Sequence, residues 1–287
     1  MRPSITIAIG RRSMSTDRVA VTPNLAKQRL RAGQPTIGFG VSLLRGAVAP
    51  QIAKSAGYHW LSIDGEHGSF TVGEMSQLCA VCLPVGITPM VRVRAPALHE
   101  AARALDNGAQ GVIAPNVHSA DEARHLVEEL RYAPMGRRNW GASGIQFGYD
   151  IPPVAQAQAQ MEEEILLVAM IESEKGVANA AEIVAVPGID LLFIGGIDLS
   201  LELGIPSQFG TRAWRKPSKP CGRLPRQRQV PRHGRYLRRR VDRAVHGHGC
   251  AFRRRRERPG VCDGASQSAG EVHRRMRTPI VDAVSTQ

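Results

Sequence analysis

The chain has 287 residues, of which 43% are hydrophobic and 22% are charged. This composition is typical of one large folded domain or two small ones, and it excludes disorder throughout. No run reaches the roughly 18 to 20 apolar residues of a membrane-spanning helix, and the first twenty residues contain four arginines in place of the apolar block of a secretory signal. Five scattered cysteines do not form a disulfide framework. We therefore predict a cytoplasmic protein with no membrane partner.

The net charge of +13 is concentrated in the last quarter of the chain. Residues 1–210 contain 17 Lys and Arg against 20 Asp and Glu, a net charge of −3, whereas residues 211–287 contain 21 against 5, a net charge of +16. The two segments therefore need separate interpretation. We predict an irregular leader at 1–29, a folded domain at 30–210 and a basic tail at 211–287.

Within the folded domain, short apolar runs alternate with segments of helical periodicity, as in βα units. The predicted strands are Thr36–Gly40, Trp60–Asp64, Thr88–Val93, Gly111–Pro115, Ile165–Ile171 and Asp190–Ile194. The predicted helices are Val48–Ala56, Val72–Leu83, Leu98–Asn107, Ala120–Leu130 and Gly176–Ala185, with caps at Ser119 and Asn179. The unbroken apolar run before Glu172 is typical of a strand buried on both faces. We predict an α/β fold, a (β/α)8 TIM barrel whose last two units are disrupted; an open doubly wound sheet is the alternative.

Polar side chains follow several predicted strands at the ends where a barrel holds its active site. The second strand ends at Asp64, and His67 comes three residues later. Arg92 lies at the end of the third strand, Glu172 follows the fifth, and Asp198 follows the sixth. Because the carboxyl ends of barrel strands converge, we expect these side chains to meet at one mouth.

The residue types at this mouth indicate their chemistry. Glu172 and Asp198, with no Cys or His nearby in sequence, offer hard oxygen ligands that suit Mg²⁺ or Mn²⁺. Arg92 can hold a carboxylate bidentately, and a 2-oxo acid would supply that group beside the metal. His67 is a candidate base that the Asp64 carboxylate could orient. The residues therefore predict a metal-dependent reaction of a 2-oxo acid.

Six motifs in order resemble the HpcH/HpaI aldolase family of metal-dependent class II pyruvate aldolases. The motifs are Trp60–His67, Pro89–Arg92, Pro115–Arg124, Arg131–Arg138, Met170–Glu172 and Phe193–Ser200. The resemblance runs from about Leu30 to Gly210. It implies a TIM barrel of the phosphoenolpyruvate/pyruvate type.

By this resemblance, Glu172 and Asp198 would be the metal ligands and Arg92 would clamp the pyruvate enolate. His67 with Asp64 would form an acid/base dyad. The implied cofactor is a divalent ion, Mg²⁺, Mn²⁺ or Co²⁺, and the implied reaction is cleavage of a 4-hydroxy-2-oxo acid into pyruvate and an aldehyde. A homo-oligomer, either a hexamer or a trimer, is expected of an intact member. A related acyl-CoA lyase of the same superfamily is the alternative activity.

Cys79 and Cys82 have the spacing of a redox or zinc motif. They lie in an apolar helical pattern, and no second cysteine pair follows at ligand spacing. We therefore predict that both are core residues.

The basic tail has no βα alternation and contains 19 Arg in 77 residues. One interpretation is a nucleic-acid arm that neutralises phosphates, and a second is a metal patch at His246–Cys250. A third is translation in a shifted frame: permitted codons for Gln227–Val261, moved by one base, give a string that resembles the seventh and eighth strands of the same family. We predict an out-of-frame, disordered tail without specific nucleic-acid binding.

Overall fold

The computed structural model describes residues 20–94, 97–141, 143–209 and 252–253. Six parallel strands pair in chain order and alternate with helices. The strands are β1 (Gly38–Val41), β2 (Trp60–Asp64), β3 (Thr88–Arg92), β4 (Gly111–Ala114), β5 (Leu166–Ile171) and β6 (Leu191–Ile194). The helices are α1 (Leu25–Arg31), α2 (Val48–Ser55), α3 (Val72–Val85), α4 (Leu98–Asp106), α5 (Ala120–Leu130), α6 (Val154–Glu164), α7 (Glu174–Ala185) and α8 (Gly196–Glu202), with a 3₁₀ turn at Ile145–Phe147. The predicted α/β alternation is confirmed.

The sheet curls as the wall of a barrel does. Trp60 begins β2 and Phe193 lies in β6, four strand spacings away, which would place them about 19 Å apart in a flat sheet. Their ring centroids are only 6.4 Å apart, in an edge-to-face arrangement. The described strands therefore form an incomplete barrel, as predicted, and not an open doubly wound sheet.

The strands contribute to two apolar cores because their side chains alternate between the faces of the sheet. In β5 all six residues are buried. Leu166, Val168 and Met170 cluster with Ala26 and Leu30 of α1 on the concave face. The intervening β5 residues pack under the outer helices. Burial on both faces explains why the sequence of β5 is continuously apolar.

Helix α1 covers the N-terminal ends of the strands. Its N-cap residue, Asn24, donates Nδ2 to the carbonyls of Gln110 at 3.0 Å and Glu164 at 2.7 Å. The prediction of an irregular leader through residue 29 is wrong for residues 25–29, which belong to this helix. Seven residues give only two turns, too few for periodicity to be recognised.

Of the two helix caps predicted from the sequence, one is correct and one is wrong. Ser119 caps α5 as predicted, but α7 is capped by Ser173, whose hydroxyl accepts the N–H of Gly176 at 3.0 Å. Asn179 lies inside α7 and donates to a backbone carbonyl at 2.7 Å.

Cys79 and Cys82 are confirmed as buried, free core residues. Burial raises the pKa of Cys82 to about 12, so its thiol stays protonated near neutral pH.

The sheet has two edges where a closed barrel would continue. Among the described residues, β1 pairs with β2 alone, and the outer side of β6 pairs with a two-residue antiparallel strand, β7 (Phe252–Arg253). The other residues predicted to form the basic, out-of-frame tail lie outside the described part of the chain. None of the helices in that described part is long and apolar enough to cross a membrane.

Candidate active site

Strands β2 and β3 place Asp64 and Arg92 side by side at their carboxyl ends. The parallel register pairs the two residues, and Arg92 donates Nε to Oδ1 at 2.9 Å and Nη2 to Oδ2 at 2.8 Å. Ser42, directly after β1, donates its hydroxyl to Oδ2 at 3.2 Å. The bidentate fork that the sequence predicts for a substrate carboxylate is therefore bonded to Asp64.

Asp64 also fixes the backbone of the loop that follows it. Its Oδ1 accepts the N–H groups of Glu66 and His67, each at 3.1 Å. Burial alone would raise the pKa of Asp64, but the hydrogen bonds from Arg92 and from this loop outweigh burial and hold the pKa below 3.8. Asp64 is thus an ionised anchor for both the guanidinium and the loop.

The imidazole of His67 lies beside Glu66. The distance from Nε2 to Glu66 Oε2 is 3.8 Å, and the His67 side chain is 66% exposed. Asp64 bonds the backbone N–H of His67, and its hydrogen bonds do not include the ring. The same Glu66 oxygen lies 3.3 Å from Arg92 Nη1. Glu66 therefore connects the His67 ring to the guanidinium, and the His67–Asp64 dyad stays a prediction.

Glu172 follows β5 and is almost fully buried. Its Oε2 accepts the N–H of Asn116 at 3.0 Å. Asn116 has φ 55°, a left-handed conformation that Asn adopts more readily than most residues. Asn116 is not among the residues predicted from the sequence, although its position directly after β4 and Pro115 marks it as a strand-end residue.

The connection from β6 to α8 brings Asp198 toward Glu172. Asp198 is exposed in the first turn of α8, and the N-cap of that helix is Gly195. A Cβ on Gly195 would come within 2.4 Å of Glu172 Cγ and Oε1, so the backbone leaves room for the carboxylate only because this residue is glycine. Burial raises the pKa of Glu172; the N–H of Asn116 opposes this effect, and the charges of Asp198 and Glu66 add to it.

This donor set fits a divalent cation. Carboxylates are the oxygen ligands that Mg²⁺ and Mn²⁺ prefer. The buried Glu172 lies in the field of two further carboxylates, Asp198 and Glu66, and a cation would offset their mutual repulsion. Glu172 and Asp198 are therefore the candidate ligands, and their role in metal binding stays a prediction.

A second group of possible ligands lies elsewhere. His125, Glu128 and Glu129 have ligand atoms within 4.8 Å of one another on α5. His125 and Glu128 are exposed, and their spacing is that of an ordinary helix surface. This group is separate from the strand ends and has no relation to the predicted metal site.

A curled parallel sheet with charged side chains at the carboxyl ends of its strands defines an α/β-barrel enzyme. The chain matches the HpcH/HpaI aldolase/citrate lyase family over residues 17–215 and belongs to that family. The predicted family is confirmed, and membership identifies the chain as a carbon–carbon lyase of the aldolase type.

Several named proteins are similar to this chain. The 2-keto-3-deoxy-L-rhamnonate aldolase of Escherichia coli O17:K52:H18 (strain UMN026 / ExPEC) is 36% identical over 194 residues, which cover 67% of this chain and 71% of the relative. The crystal structure of an HpcH/HpaI aldolase from Desulfitobacterium hafniense DCB-2 superposes with a TM-score of 0.60 at 32% identity, covering 63% and 70% of the two chains. The crystal structure of the citrate synthase SbnG superposes with a TM-score of 0.56 at 31% identity, covering 63% of this chain and 69% of that chain.

Proposed function

We propose that this chain is a divalent-metal-dependent aldolase that cleaves a 4-hydroxy-2-oxo acid into pyruvate and an aldehyde. The observation that supports the proposal is that buried Glu172 lies within electrostatic range of Asp198 and Arg92 in a chain of the aldolase family. Carboxylates for a cation and a guanidinium for an oxyanion are the groups that enolate chemistry needs.

In this proposal, Glu172 and Asp198 hold the cation. When bound, the ion supplies Lewis-acid stabilisation to the oxygens of the 2-oxo acid. The N–H of Asn116 fixes one oxygen of Glu172, and Gly195 leaves space beside the other. The carboxylate is therefore oriented before any ligand arrives, which limits reorganisation during the reaction.

Arg92 supplies positive charge to the substrate. Asp64 holds its Nε and Nη2, and this contact fixes the plane of the guanidinium. Nη1 lies on the other side, near Glu66, and the Arg92 side chain is 17% exposed. Nη1 is thus the donor that we assign to the carboxylate and enolate oxygens of the substrate.

His67 moves the proton in this proposal. Its exposed Nε2 accepts the proton of the substrate 4-hydroxyl. The oxygen electrons form the aldehyde carbonyl, the bond between C3 and C4 breaks, and its electron pair passes to the enolate of pyruvate. Transfer of that proton from His67 to C3 then converts the enolate into pyruvate. Glu66, at 3.8 Å, stabilises the charged imidazole between the two steps.

Location and assembly belong to the same proposal. We place the enzyme in the cytoplasm and expect a trimer or hexamer, on the strength of the composition and of the family resemblance. The substrates are small molecules, and specific nucleic-acid binding is not expected. Light scattering on the purified chain measures the oligomer directly.

The first test measures pyruvate release from a 4-hydroxy-2-oxo acid by the full chain, before and after chelation and after Mn²⁺ is restored. Chelation should abolish release, and Glu172→Gln should lower kcat at least about 100-fold because it removes a ligand charge. Glu182→Gln, at an exposed position of α7, is the matched control and should leave kcat unchanged. Release that is indifferent to metal and to Glu172 would contradict the proposal, as would the absence of both release and Mn²⁺ binding.

The second test replaces Arg92 by Lys. An ammonium group cannot bond both oxygens of Asp64 and also reach the substrate, so kcat should fall about 100-fold, as on loss of an oxyanion donor. Arg94→Lys is the control, because Arg94 is 60% exposed and pairs with Glu100. Wild-type kcat in Arg92→Lys would remove Arg92 from the reaction.

A further inference from the structure

A groove with a volume of about 420 Å³ lies at the opposite end of β2 from Asp64. This groove, here called the basal groove, is lined by residues that include Leu25, Arg29, Lys54, Tyr58, His59 and Gly86. His59 directly precedes β2 and Asp64 ends it. Five strand residues, spanning about 16 Å, separate the groove from the proposed active site. The groove is therefore a distinct place on the molecule.

The described residues that line the basal groove include two cations and no Asp or Glu. Arg29 donates Nε and Nη2 to a single carbonyl, that of Pro35, both at 3.3 Å. Lys54 donates Nζ to the carbonyl of Gly86 at 3.0 Å. Within the described ranges, neither cation forms a salt bridge with a carboxylate. In that part of the chain, the two positive charges are thus partnered by carbonyl groups and by no carboxylate.

His59 adds a neutral donor to the groove. Its Nδ1 accepts the N–H of Ile37 at 3.0 Å, so in the neutral ring the proton is on Nε2. Burial lowers the pKa of His59, and the nearby charges of Arg29 and Lys54 lower it further. The three groups therefore lie within electrostatic range of one another, and the ring is a hydrogen-bond donor near neutral pH.

Helix ends explain part of this arrangement. α1, α2 and α3 end at the groove, and Lys54 compensates the partial negative charge at the C-terminus of α3. Arg29 lies in the last turn of α1, where a cation is also favourable. Helix compensation does not require a 420 Å³ recess, nor does it require that all carboxylates be absent from the lining.

We propose that the basal groove binds a small phosphorylated molecule. Arg29, Lys54 and His59 belong to three different elements, so donors approach the groove from several directions. A phosphate group offers three acceptor oxygens and up to two negative charges near pH 7, more than a planar carboxylate offers. Tyr58 and Leu25 provide apolar surface for the organic part, and the volume lies in the range of small-molecule sites.

The test is equilibrium dialysis of labelled inorganic phosphate against the full chain at fixed ionic strength. Arg29→Gln should weaken phosphate binding about tenfold, the usual effect of losing a charged hydrogen bond. Arg103→Gln is the matched control: Arg103 is exposed in the last turn of α4, so net charge and helix position change equally. The amount of phosphate bound by the Arg-rich tail should be equal in the two variants, so it does not affect their comparison.

Lys54→Gln serves as a second variant and should also weaken binding, while circular dichroism reports whether each variant folds. Equal phosphate binding by Arg29→Gln and Arg103→Gln would overturn the proposal. Displacement of phosphate by equimolar citrate would also overturn it, because the groove would then prefer carboxylates. Pyruvate release is measured separately, so failure of this site is distinguishable from failure of the proposed aldolase activity.

Discussion

Glu172 is placed where an ionised carboxylate destabilises the fold. It is 5% exposed, and Asp198 and Glu66 both act to keep it protonated. Evolved active sites often retain such groups, because the same repulsion that lowers stability favours a bound cation. Stability and function are therefore expected to change in opposite directions at this residue.

The expected stability change in Glu172→Gln has a definite sign. The folded pKa lies above 4.5, so the folded state binds the proton more tightly than the unfolded state does. The free energy of unfolding therefore falls as pH rises from 4.5 through the folded pKa and stays lower above it. Gln does not titrate and its carbonyl can still accept the N–H of Asn116, so the variant should have a higher Tm than the wild type at pH 7 and not at pH 4.

Mn²⁺ should reverse that order. At a hundredfold excess over Kd, a ligand of the native state adds about 2.7 kcal/mol to stability, and only the wild type should gain it. Differential scanning calorimetry measures both effects. A Tm that rises equally in both proteins would place the metal elsewhere, with the His125, Glu128 and Glu129 group as the next position to mutate.

The sequence predicts which residue types lie at the candidate site better than it predicts which residues they contact. Asp64, Arg92 and Glu172 could be predicted because each is a charged residue at the end of an apolar strand. The mutual pairing of Asp64 with Arg92 could not, because it depends on the register of β2 against β3. Asn116 was missed for a similar reason: it acts through a backbone N–H, which every residue type except proline has.

At the scale of elements, periodicity succeeds where side chains are large and elements are long. The predicted bounds of β2 match the structure, whereas α1, α6 and α8 are not predicted from the sequence. In α6 the buried residues are Ala157 and Met161, which form a narrow stripe on the helix. The rest of the segment is mostly Ala, Gln and Glu, so its sequence lacks a clear apolar periodicity. The N-cap and the first residue of α8 are both glycines, and consecutive glycines ordinarily mark a loop.

The connection from β6 to α8 gives a prediction for Gly195→Ala. The added Cβ would overlap Glu172, and relief of an overpacked site costs about 1–3 kcal/mol. Glu172 should be displaced, so both the urea midpoint and kcat should fall. Gly73→Ala is the control, since its Cβ would meet only Thr71 Oγ1 at 3.9 Å and alanine favours the helix. An unchanged urea midpoint and an unchanged kcat in Gly195→Ala would show that the close fit around Glu172 contributes neither to stability nor to turnover.

At the scale of the whole molecule, the helices beside the first and last parallel strands of the described sheet carry exposed apolar side chains. Val48 and Ile52 of α2 are 57% and 44% exposed, and Ile197 and Leu201 of α8 are each 54% exposed. Each pair has the i, i+4 spacing of one helix face. α2 follows β1 and α8 follows β6, so both faces belong to the units at the two ends of the parallel sheet. Among the described residues β7 pairs with only two residues of β6, and incompletely paired edges promote association.

Proteolysis tests the prediction that residues 211–287 are translated out of frame. A segment with 19 Arg and few apolar runs should be cut readily by trypsin, leaving a resistant fragment that ends near residue 210. A frame-restored chain should resist throughout, because strands seven and eight would close the barrel. A full chain that resists trypsin, with residues 211–287 protected from hydrogen exchange, would contradict this prediction, and the coding DNA around codons 205–215 decides the frame itself.

Helix α1 has a consequence for how the molecule folds and unfolds. Backbone pairing in the sheet joins each strand to its neighbour in the chain, and an array with such contacts alone could lose its units one at a time from either end. α1 prevents this: Asn24 bonds Gln110 and Glu164, and Lys27 donates Nζ to the carbonyl of Ile165 at 2.5 Å, across 86 to 140 residues. α1 is thereby tied to the residues beside β4 and β5, so these units should melt in one cooperative transition. The same tie makes folding slower, because a long loop must close before its contacts can stabilise anything.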